Sequence, residues 1–429
     1  MSSLLPNGVA SSIPFKSVKY TKSFGLFFLN WALWDKVANT TTLGEGEYVA
    51  RRFADVTGFN VEDTDLATAE YTGIPVSKIA GSTETMKANR LLRANLEINN
   101  IIKKQISDLG DAQAYFGMLM GKILGLRKDA EVLRYIPSAY GTFDNGSLTG
   151  GVNDNTPITI SASTVPNMVG LMDSFLAVNM QDQSDSAGSK IFVLDPITLG
   201  LIRSTLIIKN VEYSWDVFKS DGKNFAGKGI SGSNVYQSLQ LPSSIVIAPT
   251  ANFAAADTVT VGGVVFTAVS VLTGAGQFIV GGSLAASLAN LVGLLNNPAT
   301  TNATQQAFSA ATVKVLQGAG VGVRGFKNQL DVTVNPAQVV GSTLRIDTVG
   351  AVRVPATASI VAGSTITKWI NCYYGFEGGI DVVTQSEAEG VIVQMTDRLN
   401  KAALFEHYYG IQMFSDNKRK FLCVKVAYN

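Results

Sequence analysis

Residues 189–205 read SKIFVLDPITLGLIRST. Four apolar residues, Ile191 to Leu194, stop at Asp195-Pro196, and apolar residues at helical spacing follow. A short apolar run closed by a turn signal is the pattern of a buried strand. Proline suits the first position of a helix, where its missing N–H costs nothing. A strand feeding a helix fits two roles, a phosphate cradle or plain framework. The cradle needs glycines that let the backbone approach the anion, and none stands between Leu194 and Ile197. Asp195 has instead the place and chemistry of a helix N-cap.

The remainder of the chain is poor in catalytic equipment. Its 429 residues, 46% hydrophobic and 16% charged, suffice for one large core or about two to three domains. Basic and acidic residues balance at 34 against 33, so no chain-wide attraction to a polyanion exists and any nucleic-acid contact must be local. The two cysteines, Cys372 and Cys423, stand too far apart for a disulfide framework or a zinc site, which fits folding in a reducing cytoplasm. They read as small buried residues. The single histidine, His407, removes most metal sites and most acid–base designs built on imidazole, and it reads as a structural or interface residue.

Near the start, FGLFFLNWALW (24–34) follows Lys16, Lys19 and Lys22 and imitates a signal peptide, but the apolar run begins late and contains Asn30. Phe24, Phe27, Phe28, Trp31 and Trp34 recur at three- and four-residue steps, which puts five aromatics on one helical face. That face docks either on the chain's own core or on a neighbouring subunit. Residues 114–126, with Gly117, Gly121 and Gly125 at close-packing spacing, are too short to span a bilayer and include Lys122.

Along the chain, 1–44 reads as an arm and 45–82 as an extended excursion with turn formers between short β-type runs. From Ser82-Thr83-Glu84 the spacing predicts a helical region over 83–136, with Leu91, Ala94, Ile98, Ile102, Ile106 and Leu109 on one face and a break at Gly110-Asp111. Pro137 and the Gly/Asn/Asp-rich run 141–156 close it. Residues 164–181 are expected as a helix, 190–195 as the opening strand and 196–205 as the helix after it. Residues 251–350 are nearly free of charge and read as a separate β-rich module. In it DTVTVGGVVFTAVS is a hairpin turning at Gly262-Gly263, Phe278 to Val280 is a strand, and a helix carries Leu284, Leu288, Leu291 and Leu295. The remainder, 351–429, is β-rich, ending in a strand KFLCVKVAYN covered on both faces.

Two glycine-rich stretches imitate nucleotide sites. Residues 320–325 spell G-x-G-x-x-G, but FKNQLDVTVNP after them reads as a strand where a dinucleotide site needs a helix N-terminus. Residues 222–229 almost spell a phosphate loop, yet Gly229 stands where Ser or Thr must reach magnesium. Both read as plain loops, so no catalytic, cofactor-binding or metal residue is assigned.

The order of elements (arm, extended excursion, long helical region, strand with proline-headed helix, β-rich return) resembles the HK97-like major capsid proteins of tailed bacteriophages. LGEGEYVARRFADV is similar to that family's entry into its E-loop, and KIFVLDPITLGLIRS to its strand and proline-headed helix. The resemblance implies an α+β HK97-like fold: N-arm 1–44, E-loop 45–82, spine helix 83–136, and P and A domains from 137–250 and 351–429, with 251–350 inserted as a small domain. It further implies a non-enzymatic virion subunit, folded in the host cytoplasm, that assembles with itself as hexamers and pentamers into an icosahedral shell. Partners would be a separate scaffolding protein and a portal, with no membrane. In that setting Phe24, Phe27, Phe28, Trp31 and Trp34 become candidate intersubunit arm contacts. Lys16, Lys19 and Lys22 become the candidates for weak contact with packaged DNA. A tail tube or sheath subunit is the nearest alternative, and a nucleotide-dependent enzyme using 222–229 or 320–325 is a remote one.

Overall fold

A computed structural model of the chain describes residues 33–43, 48–55, 80–98, 112–139, 141–144, 147–150, 157–160, 189–208, 225–228, 233–319, 321, 337–348, 357–359, 363–394, 401–414 and 417–427. In chain order the first elements among the described residues are helix α1 (Trp34–Val37) and strands β1 (Ala38–Thr42), β2 (Tyr48–Asp55), β3 (Ala80–Lys87) and β4 (Arg90–Ile98). Helix α2 (Ala112–Leu133) and the hairpin β5 (Gly141–Asp144) and β6 (Ser147–Gly150) follow. Then come β7 (Lys190–Leu194), α3 (Pro196–Ile208), β8 (Phe225–Lys228), β9 (Asn234–Gln237) and β10 (Ser243–Ala248).

The next group is β11 (Thr258–Val261), β12 (Val264–Val269), β13 (Gln277–Ile279), α4 (Leu284–Asn296), α5 (Ala310–Gly318), β14 (Ala337–Val340), β15 (Thr343–Asp347) and β16 (Thr357–Ser359). The chain ends in four long strands, β17 (Thr365–Phe376), β18 (Ile380–Gln394), β19 (Lys401–Gln412) and β20 (Phe421–Ala427). The fold is α+β.

The stretch 190–208 folds as its sequence predicts. All four apolar residues Ile191 to Leu194 are buried in β7. The Asp195 carboxylate accepts the N–H groups of Ile197 at 3.2 Å and Thr198 at 3.1 Å, capping α3. β7 pairs antiparallel with the second half of β17, Tyr373 to Phe376, whereas the first half of β17, Thr365 to Ile370, pairs with β10. β17 thus anchors a ten-stranded sheet whose main path is β14-β15-β10-β17-β20-β5-β6, with β7, β9 and β8 branching from it. β20 is buried along nearly its whole length, as a central strand must be.

A second, four-stranded sheet runs β1-β18-β19-β4, with β1 parallel to β18. Here the helical expectation for 83–98 fails. Residues 80–87 and 90–98 are strands, and β4 pairs with β19 from Arg90↔Tyr409 to Ile98↔Lys401. Leu91, Ala94 and Ile98 do recur at helical steps, but Arg90, Leu92 and Ala94 also alternate, and these turn inward on the core. With a partner strand available, the period of two prevails. Ile102, Ile106 and Leu109 lie outside the described residues, and the long helix begins after them, at Ala112. The first part of the Gly/Asn/Asp-rich run that closes the helical region contributes the hairpin strands β5 and β6 to the main sheet.

The segment 251–350 holds the expected hairpin, with Gly262 at φ 60° and Gly263 at φ 78° as the two-residue turn requires. Strand β13 and helix α4 also form as expected, the helix capped by Ser283, whose side chain accepts the Ala286 N–H. The segment is not separate at its C-terminal end, however. β14 and β15 join the main sheet through β10, while β16, beyond residue 350, returns to the small sheet β13-β12-β11-β16. One core runs through both, joining Phe266, Phe278, Leu288 and Leu295 to Ile245, Ile247, Leu344 and Ile346. Asn296 ties them by clasping the backbone of Ala337, donating to its carbonyl at 2.8 Å and accepting its N–H at 3.0 Å. Residues 164–181 lie outside the described residues.

Candidate assembly site

β2 and β3 form a two-stranded antiparallel ribbon in continuous register from Tyr48↔Lys87 to Asp55↔Ala80. Among the described residues no third strand pairs with it. Its open end is rooted by Met86, buried with Leu43, Val383 and Phe414 in a small apolar cluster of its own. The far end leads into residues 56–79. A two-stranded ribbon is marginal in water without a surface to lie on.

A buried polar junction fixes where the chain enters the body. Asp129 on α2 accepts the N–H of Leu33 at 2.8 and 3.0 Å through its two oxygens, and the N–H of Trp34 at 2.7 Å. The neighbouring Lys128 places its ammonium 3.5 Å from the centre of the Trp34 ring and 2.7 Å from Nε2 of His407, which stacks on Tyr409. Lys128, Asp129 and His407 are all buried. Burial pushes the Lys128 ammonium down to about 7 against the pull of Asp129 and Asp35. Burial likewise pushes the Asp129 carboxyl up to about 8 against the Trp34 and Leu33 N–H bonds and the Lys128 charge.

One half-turn further, Arg90 of β4 bonds Glu131 of α2 at 2.9 Å and the hydroxyl of Tyr135 at 3.2 Å. Tyr135 in turn donates to the Ile411 carbonyl. Helix and four-stranded sheet are therefore joined by charge as well as by apolar packing. Tunable groups side by side resemble an acid–base site, but these are sealed in the core and engaged with each other, an arrangement that holds elements in place.

In the main sheet Asn371 sits where β17 changes partner from β10 to β7. Its side chain accepts the Trp369 indole N–H at 2.9 Å and donates to Ser244 Oγ at 2.7 Å, and its own N–H goes to the Pro242 carbonyl. Ser244 also bonds Asp347, which accepts from Arg345 Nε at 3.1 Å.

Of the aromatic stripe singled out in the sequence, Trp34 is among the described residues. It is 5% exposed in its own chain, under Lys128, and so docks on its own core, one of the two seats that the spacing leaves open. Phe24, Phe27, Phe28, Trp31, Lys16, Lys19 and Lys22 lie outside the described residues, as does all of 320–325 except the buried Val321. Residues 225–228, inside the imitation phosphate loop, are strand β8 paired with β9. Cys372 and Cys423 are buried thiols, and burial raises Cys372 well above the ordinary range, so it is held protonated and unreactive. Among the described residues no cluster of His, Cys, Asp and Glu could hold a metal, and no helix is long and apolar enough to cross a membrane. Lys128, Asp129, Arg90 and Glu131 were missed in the sequence. The available signal was RKDAEVL, where charges fall on a helix face otherwise carried by Leu124, Val132 and Leu133.

No protein-family model matches the sequence, and no curated protein matches it. Among solved structures the chain is similar to the capsid of Ralstonia phage GP4, at 9% identity over 99% of this chain and 94% of that chain, with a TM-score of 0.43. It is also similar to the capsid structure of the Cyanophage P-SCSP1u, at 10% identity over 93% and 89% of the two chains, with a TM-score of 0.40. The head structure of Helicobacter pylori bacteriophage KHP40 matches at 8% identity over 100% and 96%, with a TM-score of 0.41.

Proposed function

We propose that this chain is a major capsid protein of a tailed bacteriophage, a non-enzymatic subunit whose work is to close an icosahedral shell with copies of itself. The observation that carries this is the β2–β3 ribbon, rooted at Met86 and paired with no third strand among the described residues. Such a ribbon needs a surface, and a neighbouring subunit supplies one. In this reading the ribbon and residues 56–79 form the E-loop, α2 is the spine helix, and the sheet β1-β18-β19-β4 is the core of the P domain. The ten-stranded sheet then carries the A domain. The β11–β13, β16, α4 and α5 unit is a decoration grown out of β10 and β17, whose residues Ala248 and Thr365 face each other in register.

Hexamers and pentamers of the subunit would be held by many modest overlaps of this kind, so that stability comes from their sum. A separate scaffolding protein and a portal would join the shell in the virion, whereas closure itself rests on the subunit's own overlaps. Lys16, Lys19 and Lys22, with no acid among residues 1–30, give the arm a weak, salt-sensitive contact with packaged DNA. Sedimentation of the purified protein tests the proposal. It predicts a population of very large, uniform particles alongside free subunits, and a single small oligomer at every concentration would contradict it.

A further inference from the structure

Lys418-Arg419-Lys420 is the only run of three consecutive basic residues in the chain. It leads into β20 from a short 3₁₀ turn, Asn417–Arg419, and its three side chains are half-buried. The turn is held from beneath. The buried Asn417 amide donates to the Asp381 carboxylate, and the Lys420 N–H is donated to the Asn417 carbonyl at 3.0 Å. The fold gathers further basic residues beside it. Phe376, at the end of β17, faces Lys190 of β7 in register on one side, and its N–H is donated to the Lys420 carbonyl at 3.0 Å on the other. With neighbouring strands about 4.8 Å apart, Lys190 and Lys420 lie roughly 10 Å from each other. In the turn that follows, Gly378 donates its N–H to the Val37 carbonyl at 3.1 Å, which brings Lys36 to the same end of the sheet. The acids there are Glu377, Asp35, which pairs with Lys36 at 3.2 Å, and Asp416, next to the turn in sequence. Basic groups therefore outnumber acids at this end, in a chain whose charges otherwise balance.

Like charges held this close repel one another, and an extended polyanion relieves that repulsion. None of the large apolar side chains exposed among the described residues belongs to these segments, so the patch lacks the apolar centre of a protein-docking surface. A DNA duplex carries one phosphate charge per about 1.7 Å of its axis, so a row roughly 10 Å long spans several of them. We propose that Lys190, Lys418, Arg419 and Lys420 form a contact surface for the phosphate backbone of double-stranded DNA, on the folded body and apart from the arm lysines. The choice of duplex DNA as partner rests on the capsid reading. Binding is measured on free subunits, so the patch can fail while shells still form, and shells can fail to form while the patch binds.

The test is fluorescence anisotropy of a labelled duplex of random sequence, titrated with full-chain subunits at a series of salt concentrations. The patch variant carries Lys418→Gln, Arg419→Gln and Lys420→Gln. A control carries Lys87→Gln, Lys314→Gln and Lys368→Gln, from β3, α5 and β17, and so has the same net charge. The patch variant should bind at least about tenfold more weakly at about 50 mM salt, with a log–log salt slope flatter by about 2–3, and the control should stay within about twofold of the wild type. Lys190→Gln, on a different segment, should weaken binding about threefold or more, and it gives a second readout should the triple variant unfold. Equal losses in the patch variant and the control would show diffuse attraction and overturn the proposal. It would also be overturned by unchanged binding in the patch variant or in Lys190→Gln. Tighter binding of poly-glutamate than of the duplex would overturn it too, and would point to an acidic protein partner.

Discussion

The backbone N–H of Trp34 is donated to Oδ1 of Asp129 at 2.7 Å, across 95 residues of sequence. Together with the Leu33 N–H, it makes one buried carboxyl group the fastening point between the N-terminal segment and α2. Asp129→Ala would leave two buried backbone donors unpaired, at about 1–3 kcal/mol each. We expect a stability loss of roughly 2–5 kcal/mol in urea unfolding, with faster hydrogen exchange in the peptide covering Leu33–Val37. A loss below about 0.5 kcal/mol would show that packing alone holds the segment.

The same junction predicts two opposite pH signatures. Lys128 is depressed from 10.5 to about 7, so the stability tied to it is present at high pH and lost as pH falls through about 7. Asp129 is raised from 3.8 to about 8, so its contribution is present at low pH and lost as pH rises through about 8. Relative to the wild type, Lys128→Met should therefore lose stability as pH rises above about 7. Asp129→Asn should gain relative stability between pH 4 and about 8. Unfolding in urea at a series of pH values measures both, and curves parallel to the wild type would show that neither group titrates differently in the folded chain.

At the branch point of β17, Asn371→Leu removes the acceptor for the Trp369 indole and the donor to Ser244. Both partners are buried, so a cost of about 2–4 kcal/mol is expected, read from the urea midpoint. Asn371→Asp keeps the acceptor and should cost less in acid than at neutral pH, where it adds a buried charge. Equal costs for the two variants at both pH values would contradict this role for the side chain.

How far these features were legible in the sequence depended on whether local pattern and tertiary environment agreed. β7, α3, the Gly262-Gly263 hairpin and α4 were legible because a cap, a turn and a period all marked the same boundaries. β4 was misread because its apolar residues satisfy two periods, and only the pairing with β19 decides between them. Trp34 belongs by spacing to the aromatic stripe, yet Lys128 and Asp129 hold it in the core, and nothing local to residue 34 reveals them. The end of the 251–350 segment was misplaced for the same reason, since the partner of β15 is β10, before the segment begins.

That shared core makes the segment hard to remove. Replacing 251–336 by a short Gly/Ser linker would uncover Ile245, Ile247, Leu344 and Ile346, each worth about 1.5–3 kcal/mol of burial. We expect an aggregating subunit, judged by size-exclusion chromatography of the soluble fraction. A monodisperse, cooperatively unfolding product would show that the small sheet and its helices stand alone.

The claim that this chain closes shells through the ribbon and the residues 56–79 that extend it is tested most directly by electron microscopy of two purified proteins, the full chain and a variant with residues 56–79 replaced by a two-residue turn. The account predicts closed shells from the full chain. From the variant it predicts folded subunits that form none, because β2 and β3 would still pair but no longer reach a neighbour. Open tubes or discrete small oligomers from the full chain, or normal shells from the variant, would contradict it.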